Sequence, residues 1–149
     1  MENVKSIMLL FLIVVCDSSC PSTWYAIPGS RCIKVVVDDM QWQNIGPSKT
    51  CEKFSDDTAV STFMHVTEEN YNATKSLLLD LVPWSSQYYV DWTNDGTDVF
   101  DSDGNAVSLS TTALVSGNCV SVDLTTDEVY GSCGDTTVSY VCEMKPCGY

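Results

Sequence analysis

The sequence predicts an α+β domain stapled by disulfides, and three observations carry that reading. A segment near residues 68–81 has helical spacing, the carboxyl third alternates at strand spacing, and cysteines punctuate the whole chain. The expected architecture is two helices packed on antiparallel sheets. A length of 149 residues fits one domain, and 44% hydrophobic with 18% charged residues is a globular composition. Twenty acidic against seven basic side chains give a formal charge of −13, with the basic residues scattered from Lys5 to Lys145. Nucleic acids and anionic membranes demand clustered Lys and Arg, so both are excluded as partners.

Residues 1–18 read as a signal peptide. Lys5 supplies the basic start, Ile7–Cys16 is an unbroken apolar run, and Ser18 and Ser19 supply small residues for cleavage. Ten apolar residues are too few for a membrane span, which needs roughly 20. The mature domain, residues 19–149, is therefore expected to be secreted and extracellular, without a membrane span. Cleavage removes Cys16 and leaves seven cysteines. In an oxidising compartment these read as disulfides, because zinc would need close Cys pairs or Cys with His, and His65 is the only histidine. Arithmetic alone does not pair them. The odd one is a free thiol, an intermolecular link, or a sign that cleavage spares Cys16.

Along the mature chain, Trp24, Tyr25 and the turn Pro28-Gly29 predict a small hairpin between Cys20 and Cys32. Ile33, Val35, Val36 and Val37 suit a strand, being β-branched. Pro47 fits the first turn of a short helix running through Cys51–Phe54. The clearest helix spans Glu68 to Leu81, with Thr67 as N-cap, Glu68 and Glu69 at the positive dipole end, and Pro83 beyond its end. Tyr71, Thr74, Leu78 and Leu81 share its buried face. Tyr88–Trp92 is strand-like, and Asn94–Asn105 is acidic and turn-rich. Val120–Leu124, Val129-Tyr130 and Val138–Cys142 alternate, which predicts a three-stranded antiparallel meander.

Cys51 on a first helix, Glu68-Glu69-Asn70 opening a second, Tyr89-Val90-Asp91-Trp92, Phe100 near Asp103-Gly104, Cys119, Cys133 and a closing Tyr140-Val141-Cys142-Glu143 resemble the C-type lectin-like domain. The resemblance covers Cys20 to Glu143. It implies the pairs Cys51–Cys142 and Cys119–Cys133, and Cys20–Cys32 closing the amino-terminal hairpin of the long form. Such closures stabilise by roughly 3 to 5 kcal/mol on the chain-entropy model.

Sugar-binding members that use calcium carry Glu-Pro-Asn or Gln-Pro-Asp in a long loop and Trp-Asn-Asp before the fifth cysteine. Here the fourteen residues Asn105–Asn118 contain no Pro, Glu or Asp, and Glu128-Val129-Tyr130 stands at the second tripeptide. Calcium takes about six to eight oxygens, several of them charged, so no calcium site and no cofactor is expected. Asp91 to Gly96 fits the start of an EF-hand loop, but its twelfth position is Ser102 instead of a bidentate Glu, which favours a solvated acidic turn.

Catalysis is not expected: there is no GxSxG, and His65 in Phe63–Val66 reads as a packed or edge residue. A binding module remains, with calcium-independent carbohydrate recognition, in innate defence, as the first reading. A protein ligand is the alternative. Candidate contacts are Trp92, Asn105, Ser108, Thr111, Thr112, Asn118 and Tyr130, the aromatics offering ring faces and the loop a flat polar surface. Asn72-Ala73-Thr74 is an N-glycosylation sequon on the helix face away from Leu78. Cys147, in a Pro-Cys-Gly tail, is a candidate free thiol or the bridge of a disulfide-linked homodimer.

Overall fold

A computed structural model describes residues 19–37, 50–57, 59–112, 114, 120–131 and 138–146. The expected signal peptide, the Cys119–Cys133 pair, Asn118 and Cys147 lie outside the described residues. Strands β1 (Tyr25–Ile27) and β2 (Arg31–Val36) form the amino-terminal hairpin. Its turn uses left-handed backbone at Gly29 (φ 88°) and Ser30 (φ 55°), which glycine accepts without a Cβ clash. Cys20 and Cys32 are bridged across it, as the resemblance implies. Cys51 is bridged to Cys142, a separation of 91 residues.

Among the described residues, eight strands form one sheet in the order β1-β2-β10-β4-β8-β9-β7, with β3 (Thr62–Phe63) also pairing β10 (Ser139–Met144). The others are β4 (Gln87–Val90), β7 (Ser110–Thr112), β8 (Val120–Asp123) and β9 (Glu128–Tyr130). A two-stranded ribbon, β5 (Thr93–Asn94) with β6 (Val99–Phe100), stands apart. The sheet is mixed, not antiparallel throughout: β4 runs parallel to β10, and β7 parallel to β9. The expected meander is corrected in the same way. β8 and β9 do form a hairpin, but β10 leaves it and pairs with β2 and β4. Alternation reports which side of a strand is buried, and it is silent on which neighbour buries it.

The helix α1 occupies Tyr71–Leu81, three residues later than Glu68. The cap is therefore Asn70 and not Thr67, and it makes no side-chain capping bond. Thr67 instead closes the turn that leads into the helix: its Oγ1 accepts the Asn70 N–H at 3.1 Å while Asn70 Oδ1 accepts the Thr67 N–H at 2.8 Å. The stretch expected as a helix through Cys51–Phe54 is a 3-10 turn at Glu52–Phe54, preceded by a helical Thr50. Extended backbone at Ser55 ends it, and the Ser55 hydroxyl then accepts the Ser61 N–H.

Two apolar clusters explain the unbroken run Tyr88-Tyr89-Val90. Tyr88 and Val90 join Tyr71, Leu78, Trp92, Val120, Val122 and Val129 under α1. Tyr89 faces the other way, into a cluster with Cys51, Phe63, Val138, Tyr140 and Cys142. A strand buried on both faces has no polar side to alternate with.

Candidate functional site

Pairing register decides what the far side of the sheet displays. Across β7, β9, β8 and β4 the partners are Ser110 with Glu128, Thr112 with Tyr130, Tyr130 with Ser121, Glu128 with Asp123, and Gln87 with Asp123. Register partners share a face, so Ser110, Thr112, Glu128, Tyr130, Asp123 and Ser121 lie together. The alternate residues, Val129, Val122 and Val120, point into the core beneath α1. Near β10 the outer face is apolar, with Tyr89 and Tyr140; from β8 outward it becomes hydroxyl, amide and carboxylate.

This polar face is internally ordered. The Tyr130 hydroxyl donates to Glu128 Oε2 at 2.7 Å, a bond that holds the phenol proton and pushes its pKa up. Gln87 Nε2 donates to Ser121 Oγ at 3.2 Å. Asp123 Oδ1 accepts from the backbone and hydroxyl of Thr125, fixing the β8–β9 turn. Ser110, Thr111 and Thr112 are all exposed on the edge strand. Gly131 lets the chain beyond β7 approach, since a Cβ there would lie 2.8 Å from Leu114 Cδ2.

The structure separates the sequence-predicted contacts. Thr112 and Tyr130 meet on the polar face, whereas Thr111 has the opposite parity on β7. Asn105 and Ser108 are exposed farther along the loop. Ser108 is tied to the Glu68 carboxylate by its hydroxyl. Trp92 is corrected: it is fully buried and donates its indole N–H to the Val66 carbonyl at 2.7 Å, so no ring face remains for a ligand. Glu128 and Asp123 are contacts that the sequence pattern does not single out. The signal was there in Glu128-Val129-Tyr130, whose central valine is buried, so that the two polar residues share the opposite side.

Asp91, Asp95 and Asp101, in and beside the acidic stretch, are held by the chain itself. Asp95 accepts the Thr97 and Asp98 N–H groups, which hold its pKa down. Asp101, 4% exposed, accepts the backbone N–H groups of Glu68, Asp103 and Asn105. Burial pushes its carboxyl up, but those donors outweigh burial and leave it below the usual range. For Asp91, burial wins and raises the pKa despite the Ser102 hydroxyl and nearby His65. His65 is exposed, with Nε2 3.3 Å from Asp103. Among the described residues, no group of three His, Cys, Asp or Glu side chains is disposed to hold a metal ion. No helix among them is long and apolar enough to cross a membrane. A separate cleft of about 540 Å³, lined by Asp56, Val60, Thr62, Glu143 and Lys145, includes none of the predicted contacts.

No family model and no curated protein matches the sequence. Solved structures do match the fold. A human scavenger receptor C-type lectin carbohydrate-recognition domain superposes with a TM-score of 0.55 at 13% identity, covering 85% of this chain and 99% of that one. A calcium-independent type II antifreeze protein gives 0.53 at 14% identity, over 86% and 95%. Human lithostathine gives 0.52 at 17% identity, over 85% and 99%.

Proposed function

We propose, from the C-type lectin-like fold that this chain has, that it is a secreted binding module recognising carbohydrate without calcium, in the setting of innate defence. The observation that supports this most is the hydrogen-bonded pair Tyr130–Glu128 flanked by Ser110 and Thr112 on one open face. A carboxylate accepts hydrogen bonds from adjacent sugar hydroxyls. Serine and threonine hydroxyls both donate and accept, and a half-buried phenol ring offers an apolar edge to a sugar C–H face. None of this needs a cation. One matching structure is a calcium-independent antifreeze protein and another a carbohydrate-recognition domain, so both properties occur on this fold.

The alternative ligand is an extracellular protein. The exposed strand β7, which ends the sheet among the described residues, favours it, because a strand at a sheet edge can add a partner's strand. The test is a glycan array probed with secreted protein in calcium and again in EDTA. Equal signal in both, weakened in Glu128→Gln and in Tyr130→Phe, supports the sugar reading. Signal lost on chelation overturns calcium independence. Silence in both conditions moves the ligand to a protein, whose binding to a domain this acidic should weaken with salt.

A further inference from the structure

We infer that Asn72 carries an N-linked glycan, and that the sugar is transferred before α1 docks on the sheet. The inference rests on the secretory reading above. Asn72-Ala73-Thr74 is the only Asn-X-Ser/Thr triplet in the chain. Asn72 is exposed, but Thr74 is 8% exposed and packs beneath the helix, its Oγ1 3.4 Å from Asn70 Oδ1. Two residues apart on a helix are about 200° apart around its axis, so the amide and the hydroxyl point to opposite sides. An amide nitrogen is a poor nucleophile, and the acceptor triplet works by presenting both groups to one transferase site. Folded α1 withholds that arrangement and the extended chain supplies it.

The transfer is a simple displacement. Asn72 Nδ2 loses a proton to a base of the transferase and bonds to the anomeric carbon of an oligosaccharide. The bond from that carbon to the diphosphate of a polyprenyl lipid carrier breaks, and the lipid diphosphate leaves. No oxidant or reductant is involved. Once attached, the glycan stands on the outer side of α1. The helix covers the sheet face bearing Val120, Val122 and Val129, so the sugar and the polar face of Ser110, Thr112, Glu128 and Tyr130 lie on opposite sides of the domain. The modification therefore leaves the proposed ligand face open.

The full chain, with its own amino terminus, is expressed in eukaryotic secretory cells. Medium and cell fractions are compared on gels before and after peptide N-glycosidase F. The wild type in the medium should migrate above Asn72→Gln and fall to its position after enzyme, with Thr74→Ser retaining the shift and Thr74→Val losing it. Wild type in the medium co-migrating with Asn72→Gln from the start overturns the glycan while leaving secretion intact. Unshifted protein confined to the cytosol overturns the secretory reading and the glycan with it. In a second arm, folded, unglycosylated protein and the same protein reduced and alkylated are offered to solubilised transferase with lipid-linked oligosaccharide. Only the unfolded form should be modified, and equal modification of both overturns the stated order of events.

Discussion

The two faces of the sheet over β4, β8 and β9 are built from the same strands and serve opposite ends. Tyr88, Val122 and Val129 are at most 2% exposed under α1. One residue along, Asp123, Glu128 and Tyr130 are half-exposed and bonded to one another or to their own turns. A period of two divides one short segment into a half that stabilises and a half free to recognise. Substitutions on the first face should therefore be read in stability, and those on the second in binding.

Trp92→Ala gives the largest expected effect. Emptying a fully buried indole site costs about 3 to 5 kcal/mol, and it also leaves the Val66 carbonyl unpaired. The denaturation midpoint should collapse, with Trp92→Phe intermediate. Trp84, 60% exposed, serves as the contrast, and Trp84→Ala should shift stability by no more than about 0.5 kcal/mol. Comparable losses for the two tryptophans would contradict the division between core and surface.

Removing the Cys51–Cys142 bridge by a double Ser substitution should cost about 2 to 5 kcal/mol, measured by chemical denaturation. This bridge ties the strand of the outer apolar cluster to the 3-10 turn and lies away from the polar face. Ligand binding at temperatures where the variant stays folded should be unchanged.

Next come the carboxylates that brace the loops. Asp101→Ala strips the Glu68, Asp103 and Asn105 N–H groups of their acceptor, and about 1 to 3 kcal/mol should be lost at neutral pH. Because Asp101 titrates below its ordinary range when folded, its contribution is present above the unfolded pKa and fades as pH falls through the folded one. The gap between wild type and variant should narrow in acid. A gap that held constant to low pH would show that the carboxylate charge is not what binds the loop.

Tyr71 works at the alkaline end. Burial, then the Asp127 carboxylate accepting its hydroxyl proton at 2.6 Å, raise its pKa. The neutral phenol is thus favoured by folding. Its contribution is complete below the unfolded pKa near 10 and is lost as pH rises above it. Tyr71→Phe should cost about 1 kcal/mol at neutral pH and flatten the alkaline fall in a pH series of thermal melts.

Local chemistry made much of this legible in the sequence. The hairpin at Pro28-Gly29, the helix over Tyr71–Leu81 and the stop at Pro83 each follow from residues within a few positions. The parallel pairing of β10 with β4 was hidden, because Tyr140 and Tyr89 are 51 residues apart and neither names its partner. Trp92 was misplaced among the ligand contacts for a related reason. An indole suits a sugar platform and a core equally, and the Val66 carbonyl that claims its N–H is invisible to spacing. The site was legible only in part: Tyr130 was found by its aromatic ring, but Glu128 needed the register that puts it beside Ser110.

The smallest effect on stability is expected on the polar face, and that is where binding should respond most. Glu128→Gln keeps the shape and one acceptor oxygen but removes the charge. Tyr130→Phe keeps the ring and removes the hydroxyl that Glu128 holds. Each should leave the melting temperature close to wild type, since both side chains are half-exposed and neither fills the core. If sugar hydroxyls are received by the carboxylate, Glu128→Gln should weaken array binding more than Tyr130→Phe, because the phenylalanine ring still offers its apolar edge. If the phenol oxygen makes the contact and Glu128 only aims it, each variant removes the same aligned group. The double variant would then be no weaker than either alone, and that non-additivity separates a positioning carboxylate from a contacting one.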